Sequence, residues 1–321
     1  MILAIMSDTH LSAEHYRKVD KETGLNRFYV RQFETLEWIS SFLKDKGITT
    51  IIHAGDMFDS ASPSVHSILK ARKILKDFDV YAIKGNHDDN SFLHNNRLSA
   101  LDLLEVTNFA EPGSEIIGNL NFVFTPWGYD VPLDLIKKDM KNVLVIHKFP
   151  KPYFSEDVDN VLDRDIAKNF DLVITGHYHI AETFADEGTV FLNPGSISAF
   201  ANKPSNDKSS IWLLNTENMM IKRIVLPTAI KLFKERLNDP DEYLESIDSE
   251  DLFSITTSTI PSPDVLQKAR LVALDIKLTI EQKEKEEGDV KVEEIEEFWE
   301  YVKKHTEYEQ EFRKIIQSSE E

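Results

Sequence analysis

Five short stretches of the sequence place metal-binding residue types directly after an apolar run. They contain Asp8 and His10, then Asp56, then Asn86, then His147, and finally His177 and His179. Carboxylate and amide oxygens together with imidazole nitrogens are a common ligand set for divalent transition metals. A single histidine after a strand is more often structural than metal-binding. Five such groups in one chain predict a site for two divalent ions.

The apolar runs that precede these residues are predicted to be buried parallel strands. Asp56 follows the β-branched run 48–52, and Gly55 allows a sharp turn just before the carboxylate. In open α/β sheets, ligands bind at the carboxyl ends of the strands. We therefore expect the predicted ligands to meet at one edge of a sheet, with Asp56 bridging the two ions.

The fragments DTH, GD, GNHD, a lone histidine after a strand and GHYH, in that order, resemble the calcineurin-like metallophosphoesterase superfamily. The resemblance implies two metal ions, with Mn²⁺ preferred, although these donor types also accept iron, zinc or cobalt. It implies that the first ion is bound by Asp8, His10, Asp56 and His179. It implies that the second ion is bound by Asp56, Asn86, His147 and His177.

The resemblance also implies a catalytic role for His87, which follows Asn86. In the family the matching histidine faces the substrate as a general acid or as a phosphate contact. Asp88 or Asp59 is expected to orient its ring, because a carboxylate that accepts from one ring nitrogen fixes the tautomer of the other.

Within the superfamily, the chain most resembles the SbcD-type nuclease subunits of double-strand-break repair complexes in bacteria and phages. The stretches GDMFDSASPS, TGHYH and NPGSISAF carry this resemblance, and Asp59 matches the bacterial form. It implies a DNA exonuclease or endonuclease that forms a homodimer and works with an SMC-like ATPase of SbcC type. The alternative is a stand-alone phosphodiesterase or phosphatase that acts on nucleotides or phosphoproteins.

The order of predicted elements indicates an α/β protein. Strands and helices alternate in the first half and strands dominate the second, which predicts a two-sheet αββα metallophosphoesterase sandwich over residues 1–227. Residues 228–287 are predicted to form a small βαβ capping domain, with a helix over 230–246, a strand over 251–259, a helix over 261–273 and a strand over 277–283. The resemblance places this domain over the DNA groove.

Residues 288–321 are predicted to form a helical tail with an apolar stripe. A segment of this length cannot bury such a stripe alone, so it needs another surface. The resemblance implies that this surface is the coiled coil of the ATPase. The alternatives are packing against its own domain or against a second copy.

Composition narrows the functional class. The net charge of −19 argues against generic affinity for polyanions, and 25 acidic against 13 basic residues lie in 228–321. The loop 11–28 holds Arg17, Lys18, Lys21 and Arg27, and is predicted either to contact substrate phosphates or to be a solvated surface loop. The chain has no cysteine, no membrane span and no signal peptide, which predicts a cytosolic protein without membrane contact.

Overall fold

The computed structural model describes residues 1–280, except for 17, 22, 90–98, 151–160 and 200–207. Met1–Ile280 forms one compact unit. The predicted tail 288–321 and most of a predicted helix over 91–105 lie outside the described residues. None of the described helices has the length and apolarity that crossing a bilayer requires.

Strands and helices alternate early in the chain, and strands predominate after α2. In chain order, the elements are β1 (Ile2–Met6), α1 (Arg27–Asp45), β2 (Thr50–His53), α2 (Val65–Leu75), β3 (Asp79–Ile83), β4 (Thr107–Phe109), β5 (Gly113–Ile117), β6 (Leu120–Thr125), β7 (Lys141–Ile146), β8 (Phe149–Pro150), β9 (Val161–Leu162), α3 (Arg164–Ala167), β10 (Leu172–Thr175), β11 (Glu182–Asp186), β12 (Thr189–Asn193), β13 (Ser210–Asn215), β14 (Ile221–Val225), β15 (Leu232–Leu237), α4 (Asp241–Glu245), β16 (Leu252–Thr257), α5 (Pro263–Val272) and β17 (Asp275–Ile280).

Two six-stranded sheets form the body of the protein. The first has the order β14-β13-β1-β2-β3-β4, in which β1 to β4 are parallel and β13 is antiparallel to both its neighbours. The second has the order β11-β12-β10-β7-β6-β5, with four parallel central strands and an antiparallel strand at each edge. The predicted two-sheet α/β sandwich is confirmed.

The core lies in layers on both sides of each sheet. Between the sheets, Leu3 and Ile5 of β1 pack in one cluster with Phe122 and Phe124 of β6. Helices α1 and α2 cover the outer face of the first sheet. The outer face of the second sheet is covered more thinly, by the short α3 and apolar residues around it.

Helix α1 is the crossover between the first two site-bearing strands. Asn26 caps its start, because its side chain accepts hydrogen bonds from the amides of Phe28 and Tyr29 at 2.9 and 3.2 Å. Phe33 and Leu36 lie on its buried face. The helix therefore holds the carboxyl end of β1 beside that of β2.

The small unit after the sandwich has three parallel strands in the order β15-β16-β17. Helices α4 and α5 pack on one face around Phe253 and Ile255. The predicted helix over 230–246 is wrong in its first half, which forms β15. The physical reason is that β15 pairs with β16 along its length and packs Phe233 and Leu237 into the same cluster.

Glu250 joins the small unit to the sandwich. Its carboxylate accepts hydrogen bonds from Arg27 at 2.5 and 3.1 Å and pairs with Lys18 at 3.3 Å. Lys18 also donates to the backbone carbonyls of Val272 and Ala273 at 2.7 and 3.0 Å. The cations Lys18 and Arg27 of the loop 11–28 therefore tie two parts of the molecule together.

Candidate metal centre

Five strand ends bring the predicted ligands to one place. The strands β1, β2 and β3 contribute from the first sheet, and β7 and β10 contribute from the second. Each ligand lies one to four residues beyond the carboxyl end of its strand. The candidate centre therefore lies where the ligand-forming edges of both sheets meet.

The first group of donors combines Asp8, His10 and His179. The Nε2 atoms of His10 and His179 lie 3.1 Å apart. Asp8 Oδ1 lies 3.9 Å from the first of these nitrogens and 3.7 Å from the second. Two imidazoles and a carboxylate thus converge with their donor atoms inward, as cation ligands do.

The second group combines Asp56, His147 and His177. His147 Nε2 lies 3.1 Å from Asp56 Oδ2 and 3.2 Å from Asn86 Oδ1. The same Asp56 oxygen lies 3.7 Å from His10 Nε2, which belongs to the first group. Asp56 therefore lies between the two groups, which is the position that a bridging carboxylate needs.

Hydrogen bonds fix the orientation of two of the histidines. His147 Nδ1 donates to the backbone carbonyl of Ala54 at 2.7 Å, so its Nε2 is the nitrogen that faces Asp56. His10 Nδ1 lies 3.2 Å from Asp59 Oδ1, so its Nε2 faces the first group. A carbonyl or carboxylate behind a ligand imidazole is the usual way to fix its tautomer and strengthen it as a ligand.

The shifted pKa values of His147, Asp56 and Asp8 also suit a bound metal cation. Burial disfavours a charged His147, but Asp56 and Asp8 outweigh burial and raise the pKa of His147 to about 9. Burial likewise acts to raise the pKa of Asp56, but His147 and His10 bring that pKa below its usual range. Burial raises the pKa of Asp8. Surroundings that hold a positive charge on a buried imidazole suit a metal cation in the same place.

The backbone around the centre is unusual for non-glycine residues. Asp8, His10, Asp56 and His177 have φ angles of 49, 42, 54 and 78°. Backbone hydrogen bonds hold the loops after β1 and β2 together, including Asp8 N to Gly55 O and His10 N to Asp56 O, both at 3.0 Å. Left-handed backbone in such residues persists only where the surroundings enforce it, and it clusters at functional sites.

His87 and its neighbours differ from the sequence prediction in one respect. The His87 amide donates to Asp56 Oδ1 at 2.9 Å, and its ring Nδ1 donates to the backbone carbonyl of Asp59 at 2.8 Å. The orienting group is thus a carbonyl and not a carboxylate. The Asp59 side chain instead pairs with His10 and His15, at 3.2 and 3.4 Å.

The contacts of Asp88 indicate that it stabilises the loops around the centre. Its buried carboxylate accepts hydrogen bonds from the amides of Met57, Phe58 and Gly85, at 3.0 to 3.1 Å. Burial and the charge of Asp56 raise the pKa of Asp88 to about 6. Asp88 therefore holds the loops after β2 and β3 against each other, and its predicted catalytic role stays a prediction.

Sequence reasoning missed several neighbours of the centre. His15 has no motif around it, yet it contacts Asp59. Trp127 and Phe149 lie against His177, with ring centroids 5.2 and 4.4 Å from its ring. Their position in the sequence could have identified them as neighbours of the centre. Trp127 follows the end of β6 by two residues, and Phe149 follows His147 by two.

A comparison with protein-family models identifies the superfamily. The model described as the calcineurin-like phosphoesterase superfamily domain matches residues 1–219. The chain belongs to the calcineurin-like phosphoesterase superfamily. This calcineurin-like domain contains all seven predicted metal ligands.

The curated relatives of this calcineurin-like phosphoesterase include repair proteins from archaea. The DNA double-strand break repair protein Mre11 of Methanosarcina acetivorans is 27% identical over 263 residues, which are 74% of this chain and 40% of that protein. Mre11 of Saccharolobus solfataricus is 26% identical over 208 residues, which are 60% of this chain and 53% of that protein. The chain thus spans only about half the length of these relatives. Among solved structures, an archaeal phosphodiesterase is 20% identical with a TM-score of 0.41, covering 70% of this chain and 100% of its own.

Proposed function

We propose that the chain is a DNA phosphodiesterase that depends on two metal ions and acts as an exonuclease or endonuclease. The observation that carries the proposal is the convergence of two donor groups on Asp56. The names of the curated relatives support DNA as the substrate, since they are called DNA double-strand break repair proteins. The side chains at the centre then act either as metal ligands or as the acid for the leaving group.

The predicted ligands have two tasks. Asp8 and Asp56 supply negative charge. The donor sets are completed by side chains that add no negative charge, namely His10, His147, His177, His179 and Asn86. When bound, two divalent ions supply Lewis-acid activation of a phosphate and of a water molecule. Burial lowers the pKa of His177 to about 4, so this ligand is neutral and ready to bind at neutral pH.

His87 is the proposed general acid. Its Nδ1 donates to the Asp59 carbonyl, so the doubly protonated ring would give its Nε2 proton to the leaving oxygen and become the neutral Nδ1–H tautomer. The side chain is exposed, which lets a phosphodiester reach it. Asp59 contributes by holding both His87 and the ligand His10.

We also infer the specific form of this enzyme. It is an SbcD-type nuclease subunit, a homodimer, that uses Mn²⁺ and works in the cytosol with an SMC-like ATPase of SbcC type. The ATPase binds the predicted tail 288–321, and residues 228–287 cap the DNA. The motif resemblance along 1–227 supports this form.

The test is nucleotide release from linear duplex DNA by the purified chain in Mn²⁺. A small aryl phosphodiester is assayed in parallel, and His87→Asn is the variant. We expect the variant to bind metal normally and to lose about 10²-fold or more of its turnover, which is the usual contribution of a general acid. Full activity of His87→Asn would remove His87 from the mechanism.

The same assay separates the alternative function. The net charge of −19 favours a small substrate over a polyanion, which is what a stand-alone phosphodiesterase or phosphatase would use. Cleavage of nucleotides and the aryl ester, with duplex and single-stranded DNA untouched even when the ATPase is present, would support that alternative.

A further inference from the structure

An aromatic cluster adjoins one side of the candidate metal centre. It consists of Trp127, Phe149 and Tyr178, all partly buried. The rings of Trp127 and Phe149 lie 5.2 and 4.4 Å from that of His177, and Phe149 lies 6.0 Å from Tyr178. Trp127 also lies 6.0 Å from His147. The cluster thus borders the second donor group, on which Asp56, His147 and His177 converge.

Three different segments build this cluster. The Trp127 amide donates to the carbonyl of Lys84 at 3.0 Å, which fixes the segment after β6 against the segment after β3. Phe149 begins β8, which pairs with β9. Tyr178 lies between two predicted ligands, and its carbonyl accepts a hydrogen bond from Asn193 at 2.7 Å. The rings therefore lie on backbone that is held in place.

The chemistry of these rings points to one part of a nucleic acid. The face of an aromatic ring carries partial negative charge, so it attracts neither a phosphate nor a carboxylate. A nucleobase, in contrast, stacks on an indole or phenyl ring whatever its sequence, and such stacking is a common means of binding single strands. A ring beside a phosphodiesterase centre can therefore hold the base of the nucleotide being cleaved.

We propose that Trp127 and Phe149 form a nucleobase-stacking subsite for the nucleotide next to the scissile phosphate. The inference rests on the proposed DNA phosphodiesterase function and deepens it. A base stacks on a protein ring only after it has left the base stack of the duplex. The subsite therefore selects an unpaired terminal nucleotide over a paired one.

The experiment measures stacking directly in the full-length protein. Single-stranded oligonucleotides carry 2-aminopurine at the 5′ or the 3′ terminal nucleotide, and Ca²⁺ replaces Mn²⁺ to limit cleavage. The variants are Trp127→Leu and the conservative Trp127→Phe. The matched control is Trp38→Leu, since Trp38 is also partly buried but stacks on Phe42 in α1, at 5.2 Å. Matched oligonucleotides with an abasic terminus report the contribution of the base.

We expect the wild type, Trp127→Phe and Trp38→Leu to quench the fluorescence of 2-aminopurine at one end. Trp127→Leu should lose the quenching and bind about tenfold more weakly, the loss expected for one stacked base. The abasic oligonucleotide should bind wild type and Trp127→Leu equally, because it has nothing to stack.

Three outcomes would overturn the inference. The first is quenching in Trp127→Leu as strong as in wild type. The second is wild-type affinity that does not depend on the terminal base, and this result leaves the DNA phosphodiesterase proposal standing. The third is loss of Mn²⁺ from Trp127→Leu and Trp127→Phe alike, which would make Trp127 a positioning residue for His177. If the wild type binds no oligonucleotide even when the ATPase is present, the DNA phosphodiesterase proposal fails as well.

Discussion

Three glycines next to candidate ligands are required by close packing. A side chain at Gly55 or Gly176 would collide with His147, and one at Gly85 would collide with the Asp56 carboxylate. Each glycine directly precedes a predicted ligand, namely Asp56, Asn86 or His177. The space for the donor groups is therefore created by glycines, which supply no side-chain metal ligand.

Gly55→Ala tests this point, with Gly188→Ala as its control. Both glycines have φ near +90°, at 96 and 91°, but Gly188 has open space where a Cβ would be. Both variants should lose about 1 kcal/mol of unfolding free energy through backbone strain. Only Gly55→Ala should also lose bound metal, because His147 must move. Urea denaturation and metal analysis check this, and equal metal content in both variants would contradict it.

For single residues, the sequence predicts which side chains belong to the candidate centre better than it predicts the contacts they make. Asp56 and the histidines are predictable because each lies within four residues of the end of a strand that is itself predictable. The partners of Asp59 and Asp88 are not, because their carboxylates bind groups in other loops: Asp59 binds His10 and Asp88 binds Phe58. Such contacts depend on how loops from different strands pack, which a local pattern does not contain.

Among the elements, the small three-stranded sheet is joined to the sandwich by ionic contacts as well as by apolar packing. Its own core is small, and Leu232 and Leu252 join it to the sandwich through Phe28. Glu250 adds the ionic contact with Arg27 and Lys18. Burial acts to raise the pKa of Glu250, but the hydrogen bonds from Arg27 outweigh it and lower that pKa below its usual value near 4.5.

Glu250→Gln should therefore destabilise the protein in a pH-dependent way. A carboxylate with a lowered folded pKa contributes stability above its unfolded pKa and loses it as the pH falls through the folded value. We expect a loss of about 1 kcal/mol at pH 7, a modest figure because the pair is partly exposed. The difference from wild type should shrink as the pH falls below the usual value near 4.5, and it should vanish only below the lowered folded pKa. Urea denaturation across this range measures it, with the exposed Glu245→Gln as control, and a constant difference at all pH values would contradict this role of Glu250.

Elements with buried apolar runs were predictable, and the edge strand β15 was not. The central strands β1, β2, β3, β7 and β10 are nearly continuous apolar stretches because both of their faces are covered. Strand β15 lies at the edge of its sheet and has three consecutive charged residues, Lys234 to Arg236, which resemble the polar face of a helix. Its pairing with β16 makes it a strand and not a helix, and that pairing is a contact between residues far apart in the sequence.

For the whole molecule, most of the acidic excess lies in the sequence after the calcineurin-like domain. The calcineurin-like domain occupies residues 1–219, whereas residues 228–321 hold 25 acidic and 13 basic residues. The last segment, 288–321, is itself rich in acidic residues and would repel DNA, so we propose that it binds a protein. The apolar stripe in that segment supplies the contact surface.

Truncation tests the proposed partner contact. The variant lacking 288–321 should no longer capture the SbcC-type ATPase and should keep two metal ions and activity on the aryl phosphodiester. Trp299 belongs to the predicted apolar stripe of this tail. Within the full chain, Trp299→Glu should weaken capture about tenfold or more, as expected for an aromatic anchor at an interface. Glu297→Gln is the control on the same segment. Capture of the ATPase by the truncated chain would place the contact elsewhere.

The central claim is that Asp56 bridges two metal ions, and anomalous diffraction from Mn²⁺-soaked crystals tests it most directly. We predict two anomalous peaks about 3.5–4 Å apart, the usual spacing of two-metal phosphoesterase centres. One peak should contact His10 and His179, the other His147 and His177, and Asp56 should contact both. A single peak, or two peaks of which only one contacts Asp56, would contradict the claim.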